Sequence, residues 1–167
     1  GPGGSRKRRQ QNKNYKEGRK PIRVNRPNNL TPEQQRENMV WQQVRLIEYL
    51  NELPVIQFRF DEIEADDIIS YVSRLQQYDG WQKVIVSNDK DFIQLCDDET
   101  VLLRPTQKVV HNKVNVVDDF NIHPRNFAVA RAIAGDASDN LVGVPRAGLK
   151  SIAKNLNFLR EDKDVTL

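Results

Sequence analysis

The sequence has little cysteine, little histidine and no long apolar run, and each shortage excludes a class of protein. The single cysteine, Cys96, excludes an internal disulfide and fits a reducing compartment, where it is predicted to be a small core residue. The only two histidines, His111 and His123, give no zinc-ligand pattern and are predicted to be surface or packing residues. No stretch approaches the ~20 apolar residues of a membrane helix, so no membrane partner is expected.

Charge is distributed very unevenly along the chain. Residues 1–26 contain ten Lys or Arg and one acid, a net charge of +9, and with +3 for the whole chain the remaining residues sum to −6. A basic arm joined to an acidic body is typical of a protein that grips a polyanion and holds cations beside it. A solvated basic tail would show the same pattern.

The spacing of apolar residues predicts an α/β fold with a mainly parallel sheet flanked by helices. Helices are expected at 32–52, 64–78, 124–134 and 147–159. Strands are expected at 55–58, 83–87, 101–103 and 109–117. The buried stripe of the second helix is predicted to comprise Ile68, Ile69, Val72 and Leu75.

At 167 residues the chain fits one domain, and its composition suggests three parts. Residues 1–30 are expected to form a basic, mobile arm that is partly helical between Ser5 and Lys20. Residues 31–134 are expected to form the α/β core. Residues 135–167 are expected to form an acidic turn followed by a helical DNA-binding element.

Three clusters of carboxylates stand out at a helix start, at a strand end and in a turn between helices. Each cluster alone could be a helix cap or a polar turn. Open α/β sheets place their ligand crevice at the carboxyl ends of strands, so the clusters are predicted to meet in one crevice. Carboxylates this close need countercharge, and hard divalent cations such as Mg²⁺ supply it. The predicted ligands are Glu64, Asp66, Asp67, Asp89, Asp91, Asp136 and Asp139.

The motifs that contain these acids resemble the structure-specific 5′ nucleases. They are Glu64-Ala65-Asp66-Asp67, the run from Ser87 to Phe92, and the run from Gly135 to Asn140 before Gly143-Val144-Pro145. That family includes flap endonucleases, the 5′-nuclease domain of bacterial DNA polymerase I and bacteriophage ribonuclease H. The resemblance extends from about residue 5 to residue 159, and a bacteriophage member is favoured.

The resemblance implies a PIN-like 5′-nuclease core that hydrolyses primer RNA or DNA flaps during replication. It implies two Mg²⁺ ions, with Mn²⁺ as a substitute, a flapped DNA or RNA–DNA substrate, and the cytoplasm of a bacterium or phage-infected host. Glu64, Asp66 and Asp67 match the first metal cluster. Asp89 and Asp91 match the bridging acids, and Asp136 and Asp139 match the outer pair.

Tyr15-Lys16-Glu17-Gly18-Arg19 is similar to the helical-arch motif of that family. The similarity implies that Lys16 and Arg19 act at the scissile phosphate, where cations can neutralise developing charge. Two cations three residues apart also suit phosphate binding on one helical face, if the segment is helical. The arm residues expected to contact DNA are Arg6, Arg8, Arg9 and Tyr15.

Residues 142–156 resemble a helix-hairpin-helix element, which binds the backbone of duplex DNA without sequence preference. The expected DNA contacts are Gly143, Val144, Gly148, Lys150 and Ser151, and the family resemblance adds a K⁺ ion at this turn. The sequence of this segment also partly matches the consensus of the phosphate-binding loop of NTPases. Leu149 separates Gly148 from Lys150, however, and breaks that consensus.

The chain departs from the family at its start, where two strands that carry metal ligands are expected and absent. A separate chain could supply them, or the sequence could be a fragment of a larger enzyme. Gly1-Pro2 is interpreted as part of a native loop, the alternative being a remnant of protease cleavage. Two other functions stay open: a non-catalytic DNA-binding module and a PIN-like ribonuclease. The hairpin speaks against the ribonuclease, and the metal-ligand set speaks against a pure binder.

Overall fold

The computed structural model describes residues 3–18 and 29–165. The helices are α1 (Arg6–Gln11), α2 (Pro32–Asn51), α3 (Ala65–Ser73), α4 (Lys113–Phe120), α5 (Pro124–Ala134) and α6 (Leu149–Asn155). The strands are β1 (Lys83–Val86), β2 (Thr100–Arg104), β3 (Val109–His111), β4 (Gly135–Asp136) and β5 (Leu141–Val142). Short 3₁₀ turns occur at Gln76–Tyr78, Lys90–Leu95, Ala137–Asp139 and Asn157–Arg160.

The described residues form two compact units. The larger unit contains residues 3–17 and 61–165, and the smaller unit contains residues 18 and 29–60. The division into arm, core and hairpin at residues 30 and 134 stays a prediction. None of the helices in the described ranges is both long enough and apolar enough to cross a membrane.

In the smaller unit α2 begins where the sequence predicted. The backbone N–H of Gln34 donates to Oγ1 of Thr31 at 3.3 Å, and the Gln34 side chain accepts from the Thr31 N–H at 2.9 Å. This capping box satisfies two donors of the first turn. The strand predicted at 55–58 is wrong: within the described ranges the segment pairs with no other strand, and strands need ladder partners.

The larger unit contains a three-stranded sheet in the order β1-β2-β3. The pair β1–β2 is parallel, and the pair β2–β3 is antiparallel, so the sheet is mixed rather than mainly parallel. The strand predicted at 109–117 is wrong beyond His111. The side chain of Asn112 accepts from the backbone N–H of Asn115 at 2.9 Å, and this cap starts α4.

The core lies where α4, α5 and α6 pack with the sheet and with the turn at Lys90–Leu95. Its fully buried side chains include Ile93, Leu102, Ile122, Phe127 and Leu159. Cys96 belongs to this core as predicted, and burial raises the pKa of its thiol to about 11. Burial also lowers the pKa of His111 and His123, and both histidines are packing residues.

Two helix predictions placed too much of the chain in one helix. The helix predicted at 64–78 ends at Ser73, and the one predicted at 147–159 ends at Asn155; each is followed by a 3₁₀ turn. The buried stripe predicted for α3 is also wrong, because no residue of that helix is fully buried and Ile69 is 37% exposed. The helix predicted at 124–134 is confirmed.

Candidate metal and nucleic-acid site

Three carboxylates converge at the start of α3, and we call Glu64, Asp66 and Asp67 the first acidic group. Glu64 is the N-cap residue, and the two aspartates lie in the first turn, where the helix dipole favours negative charge. One oxygen from each of the three lies within 4.8 Å of the others. An all-oxygen set of this kind fits a hard divalent cation such as Mg²⁺.

The arm, residues 3–18, supplies the countercharge of the first acidic group. Arg8 pairs with Glu64, lies 2.9 Å from Oδ1 of Asp67 and lies 3.8 Å from Oδ2 of Asp66. Nζ of Lys16 lies 2.7 Å from Oε1 of Glu64, and the same oxygen accepts from the Ser5 hydroxyl at 2.6 Å. Because Glu64 is only 7% exposed, its carboxylate depends on these charged and hydrogen-bonding partners in place of water. These ion pairs attach the arm to the start of α3, and its predicted mobility stays a prediction.

Tyr15 connects the first acidic group to the turn at Ala137–Asp139. Its hydroxyl accepts from Arg8 at 3.3 Å and lies 3.5 Å from Oε2 of Glu64. Burial raises the pKa of this phenol, and the charge of Asp139 adds to the rise. Tyr15 is 6% exposed, so its predicted contact with DNA would require the arm to move.

A second set of acids lines a cleft of about 170 Å³ next to α5. We call Asp91, Asp136 and Asp139 the second acidic group. Arg131 lies in the same cleft and contacts two of its members: Nε is 3.1 Å from Oδ1 of Asp91, and Nη2 pairs with Asp136.

The pKa values of Asp91 and Asp136 are shifted in opposite directions. Burial raises the pKa of Asp91, and the charge of Asp89 raises it further. Burial also acts to raise the pKa of Asp136, but hydrogen bonds from Ser138 and the charge of Arg131 lower it overall. Asp89 itself is exposed, and its Oδ1 accepts from the backbone N–H of Asp91 at 3.0 Å.

Hydrogen bonds from the Asn140 side chain and from the backbone join the arm to the acidic turn. Nδ2 of Asn140 donates to the carbonyls of Asn14 at 2.7 Å and of Glu17 at 3.1 Å. Asn140 adopts a left-handed conformation with φ of 58°, which asparagine tolerates better than most residues. The N–H of Lys16 donates to the carbonyl of Asp139 at 3.4 Å. The two segments, more than 100 residues apart in sequence, therefore lie together.

The hairpin segment follows the acidic turn directly. Gly135 has φ of 74°, and a Cβ on either Gly135 or Gly143 would overlap the backbone of the other. The N–H of Val144 donates to the carbonyl of Ile133 at 2.8 Å, which joins the hairpin to the end of α5. At the start of α6 the predicted DNA contacts Gly148, Lys150 and Ser151 are exposed, as is Val144.

The structure therefore gathers six of the seven predicted ligands into two groups and places Asp89 beside one of them. Their predicted roles stay predictions, as do the DNA contacts of Arg6 and Arg9, which are exposed on α1. Arg19 lies outside the described residues. Arg131 could not be recognised from the sequence, because a basic residue in the last turn of a helix is common for electrostatic reasons alone. Ser5 was missed for a different reason, since its partner Glu64 is 59 residues away in the sequence.

Comparison with known proteins decides the family. Residues 2–121 match the family described as "5′-3′ exonuclease, N-terminal resolvase-like domain". The chain belongs to this family. The recognition made from the acidic motifs is thereby confirmed.

Curated relatives agree with this membership. The chain is 34% identical over 115 residues to a "5′-3′ exonuclease" of Buchnera aphidicola subsp. Schizaphis graminum, which covers 68% of the chain and 40% of the relative. It is 32% identical over 130 residues to "DNA polymerase I" of Streptococcus pneumoniae. This alignment covers 75% of the chain and 14% of the relative. The chain thus spans less than half the length of these relatives.

Solved structures show the same fold. The T5 D15 protein co-crystallised with metal ions aligns with a TM-score of 0.67 at 20% identity, over 90% of this chain and 56% of that one. A D15 flap endonuclease variant, in a complex with DNA and metal ions, aligns with a TM-score of 0.61 at 21% identity, over 77% of this chain and 49% of that one. The predicted α/β, PIN-type 5′-nuclease fold is confirmed.

Proposed function

We propose that this chain contributes most of the active site of a metal-dependent 5′-3′ nuclease that hydrolyses phosphodiesters in DNA flaps or primer RNA. The observation that carries the proposal is the convergence of Glu64, Asp66 and Asp67 within 4.8 Å in a member of the 5′-3′ exonuclease family. Three acids on one helix turn, with oxygen atoms this close, suit a bound cation better than a solvated surface.

The first acidic group would hold one divalent ion, and the second acidic group with Asp89 would hold another. Mg²⁺ is the proposed ion and Mn²⁺ a substitute, because both prefer oxygen ligands. Such ions, when bound, activate water and stabilise a leaving oxygen at phosphoryl centres. The metal ions reported with the T5 D15 protein support this assignment through the shared fold.

The arm cations have a proposed role at the substrate phosphate. Lys16 is only 17% exposed and pairs with Glu64, so it already lies at the carboxylates that would hold metal. With a cation held by Glu64, the ammonium of Lys16 would be free to face the scissile phosphate. There it would stabilise negative charge that develops as the phosphodiester breaks, with Arg19 as its proposed companion.

The hairpin supplies the proposed grip on duplex DNA. Lys150 and Ser151 are exposed on α6, and Arg146 and Lys154 add two further exposed cations nearby. Contacts of this kind go to phosphates and carry no sequence information. A K⁺ ion at the turn around Gly143 is part of the same proposal, as is an RNA–DNA duplex as an alternative substrate. The DNA complex of the T5 D15 variant supports DNA as the partner.

We also propose that β1 pairs with a further strand. Within the described ranges β1 pairs only with β2, and Val84 and Val86 on this edge are 55% and 63% exposed. An open edge with apolar side chains is normally covered in a folded protein. The expected occupant is the pair of family strands that carries the remaining acids, whether on the same polypeptide or on a separate chain.

A cleavage assay tests the function. The chain, alone and together with a polypeptide that carries the family's first two strands, is incubated with a labelled 5′-flap substrate in Mg²⁺ or in EDTA. We expect Mg²⁺-dependent product from the combination. Flap binding without cleavage under any of these conditions would support the alternative, a non-catalytic DNA-binding module, and would overturn the nuclease assignment.

A further inference from the structure

Arg131 links two acids that come from different segments of the chain. Asp91 lies in the 3₁₀ turn after β1, and Asp136 lies in β4 after α5. Nε of Arg131 donates to Oδ1 of Asp91 at 3.1 Å, and Nη2 donates to Oδ2 of Asp136. Nη1 also lies 3.5 Å from the carbonyl of Gly135. A single planar guanidinium thus contacts both segments through separate nitrogens.

The environment of Arg131 differs from that of a surface ion pair. Its side chain is 22% exposed, and that of Asp136 is 21% exposed. Exposed ion pairs contribute little because water screens them, whereas partly buried and bidentate pairs hold a defined geometry. Arg131 is therefore able to fix the orientation of Asp136, and its Nε links Asp91, whose side chain is 46% exposed, to the same guanidinium.

The carboxylate of Asp136 is held from two sides. Oδ1 accepts from the backbone N–H of Ser138 at 2.8 Å and from its hydroxyl at 2.6 Å, while Oδ2 accepts from Arg131. Asp91 is held from one side by Arg131, and its backbone N–H is fixed by Asp89. A carboxylate has about four lone-pair sites, so these bonds leave each acid able to accept a cation.

We propose that Arg131 is a positioning residue of the nuclease site, which sets the separation and orientation of Asp91 and Asp136. The inference rests on the proposed function, because it assigns these acids to the second metal. Arg131 acts through the two carboxylates and does not touch the substrate. Without its charge, the acids that line the cleft would repel one another and move apart.

Arg125 offers a matched control on the same helix. It also pairs with two aspartates, since its Nε lies 3.5 Å from Asp162 and 3.5 Å from Asp164. Those acids lie outside both acidic groups. Both Arg125→Met and Arg131→Met therefore remove an arginine of α5 that bridges two aspartates. Only Arg131→Met changes contacts within the second acidic group.

The experiment compares Arg131→Met, Arg131→Lys and Arg125→Met in two measurements. In flap cleavage with Mg²⁺, measured together with the polypeptide that carries the family's first two strands, Arg131→Met is expected to lower kcat by about 10- to 100-fold, the usual cost of losing a partner of a metal ligand, with KM for DNA nearly unchanged. In a Mn²⁺ titration without DNA, followed by the EPR signal of free Mn²⁺, the weaker of two binding events is expected to weaken by about tenfold. Arg125→Met should leave kcat and Mn²⁺ binding unchanged.

Arg131→Lys separates charge from geometry. Lysine keeps the positive charge but is a single point donor that cannot span both carboxylates as the guanidinium does. We expect it to recover only part of the kcat and of the Mn²⁺ affinity. Complete recovery of both would overturn the positioning role, because charge alone would then suffice.

Folding and function are separated by further outcomes. Circular dichroism tests whether each variant is folded. If Arg131→Met is unfolded, the test rests on Arg131→Lys. Wild-type kcat and Mn²⁺ affinity in Arg131→Lys would then overturn the proposal. The proposal is equally overturned if folded Arg131→Met equals the wild type in both measurements. Absence of Mg²⁺-dependent cleavage by the wild type combined with the polypeptide that carries the family's first two strands would instead overturn the proposed function, and the Mn²⁺ titration would still test the placement of Asp91 and Asp136.

Discussion

The two acidic groups are neutralised in different ways. The first acidic group receives its countercharge from Arg8 and Lys16 on the arm, far away in sequence. The second receives it from Arg131 on α5, a helix that packs into the core. A metal ion can replace a cation on a segment that can move away, but it cannot easily displace one anchored in a core helix. Under the proposed function, the first group would exchange its countercharge for a metal ion, and the second group would keep Arg131 when a metal ion binds.

The largest expected effect comes from removing a ligand in either group. Glu64→Gln and Asp139→Asn should each lower kcat for Mg²⁺-dependent flap cleavage by more than the roughly 100-fold that loss of an outer partner causes. DNA affinity, measured by fluorescence anisotropy in Ca²⁺ or EDTA, should stay nearly the same. If one variant keeps its activity, the group to which it belongs is not a metal site.

Lys16→Ala should have the next largest effect and should separate rate from affinity. Loss of a cation that acts at the scissile phosphate is expected to lower kcat by about 10²-fold, with a much smaller change in KM. Lys13→Ala is the matched control, because Lys13 is an exposed lysine of the same arm. A change confined to KM would reduce Lys16 to a contributor of non-specific DNA affinity.

Arg8→Met tests whether arm and metal compete. The substitution removes three ion pairs at the first acidic group, so Mn²⁺ should bind there more tightly, by about tenfold for roughly 1.4 kcal/mol of lost competition. The readout is a Mn²⁺ titration, with Arg9→Met as the control from the adjacent exposed position. Weaker binding in Arg8→Met would show that Arg8 organises the acids rather than competing for them.

The acids in the two acidic groups could be predicted from the sequence. The residues that the prediction missed share a physical reason. The motif around Glu64 and the turn around Asp136 allowed the candidate metal ligands to be predicted. A site for a divalent cation needs several carboxylates, and clusters of carboxylates are visible in a sequence. The partners of these acids could not be predicted, because Arg8 and Arg131 become partners only when distant segments fold together. The strand error beyond His111 has a local cause: β-branched residues in 114–117 suggested a strand, but the Asn112 cap favours a helix.

The smallest expected effect concerns protons rather than metal. Burial lowers the pKa of His111 and His123, so above their ordinary value of about 6.5 their contribution to stability is complete. As pH falls below that value, the unfolded chain binds protons that the folded chain does not, and stability is lost until the lowered folded pKa is passed. Urea unfolding should show a lower free energy of unfolding at pH 5.5 than at pH 7.5. The decrease should be less than about 1.4 kcal/mol per histidine for each pH unit.

His111→Gln should reduce this pH dependence, because it removes one of the two imidazoles whose pKa is lowered by burial. An unchanged slope in His111→Gln would show that His111 takes up protons equally in the folded and unfolded chain.

The contact between Gly135 and Gly143 has a consequence for where a substrate would be cut. No side chain separates the two backbones, so the acidic turn and the hairpin form one mechanical piece. Under the proposed function, the hairpin holds the duplex and Asp136 belongs to the cutting centre. The fold would then fix the distance between the bound phosphate and the cleaved bond. The number of nucleotides between them would be the same for every base sequence.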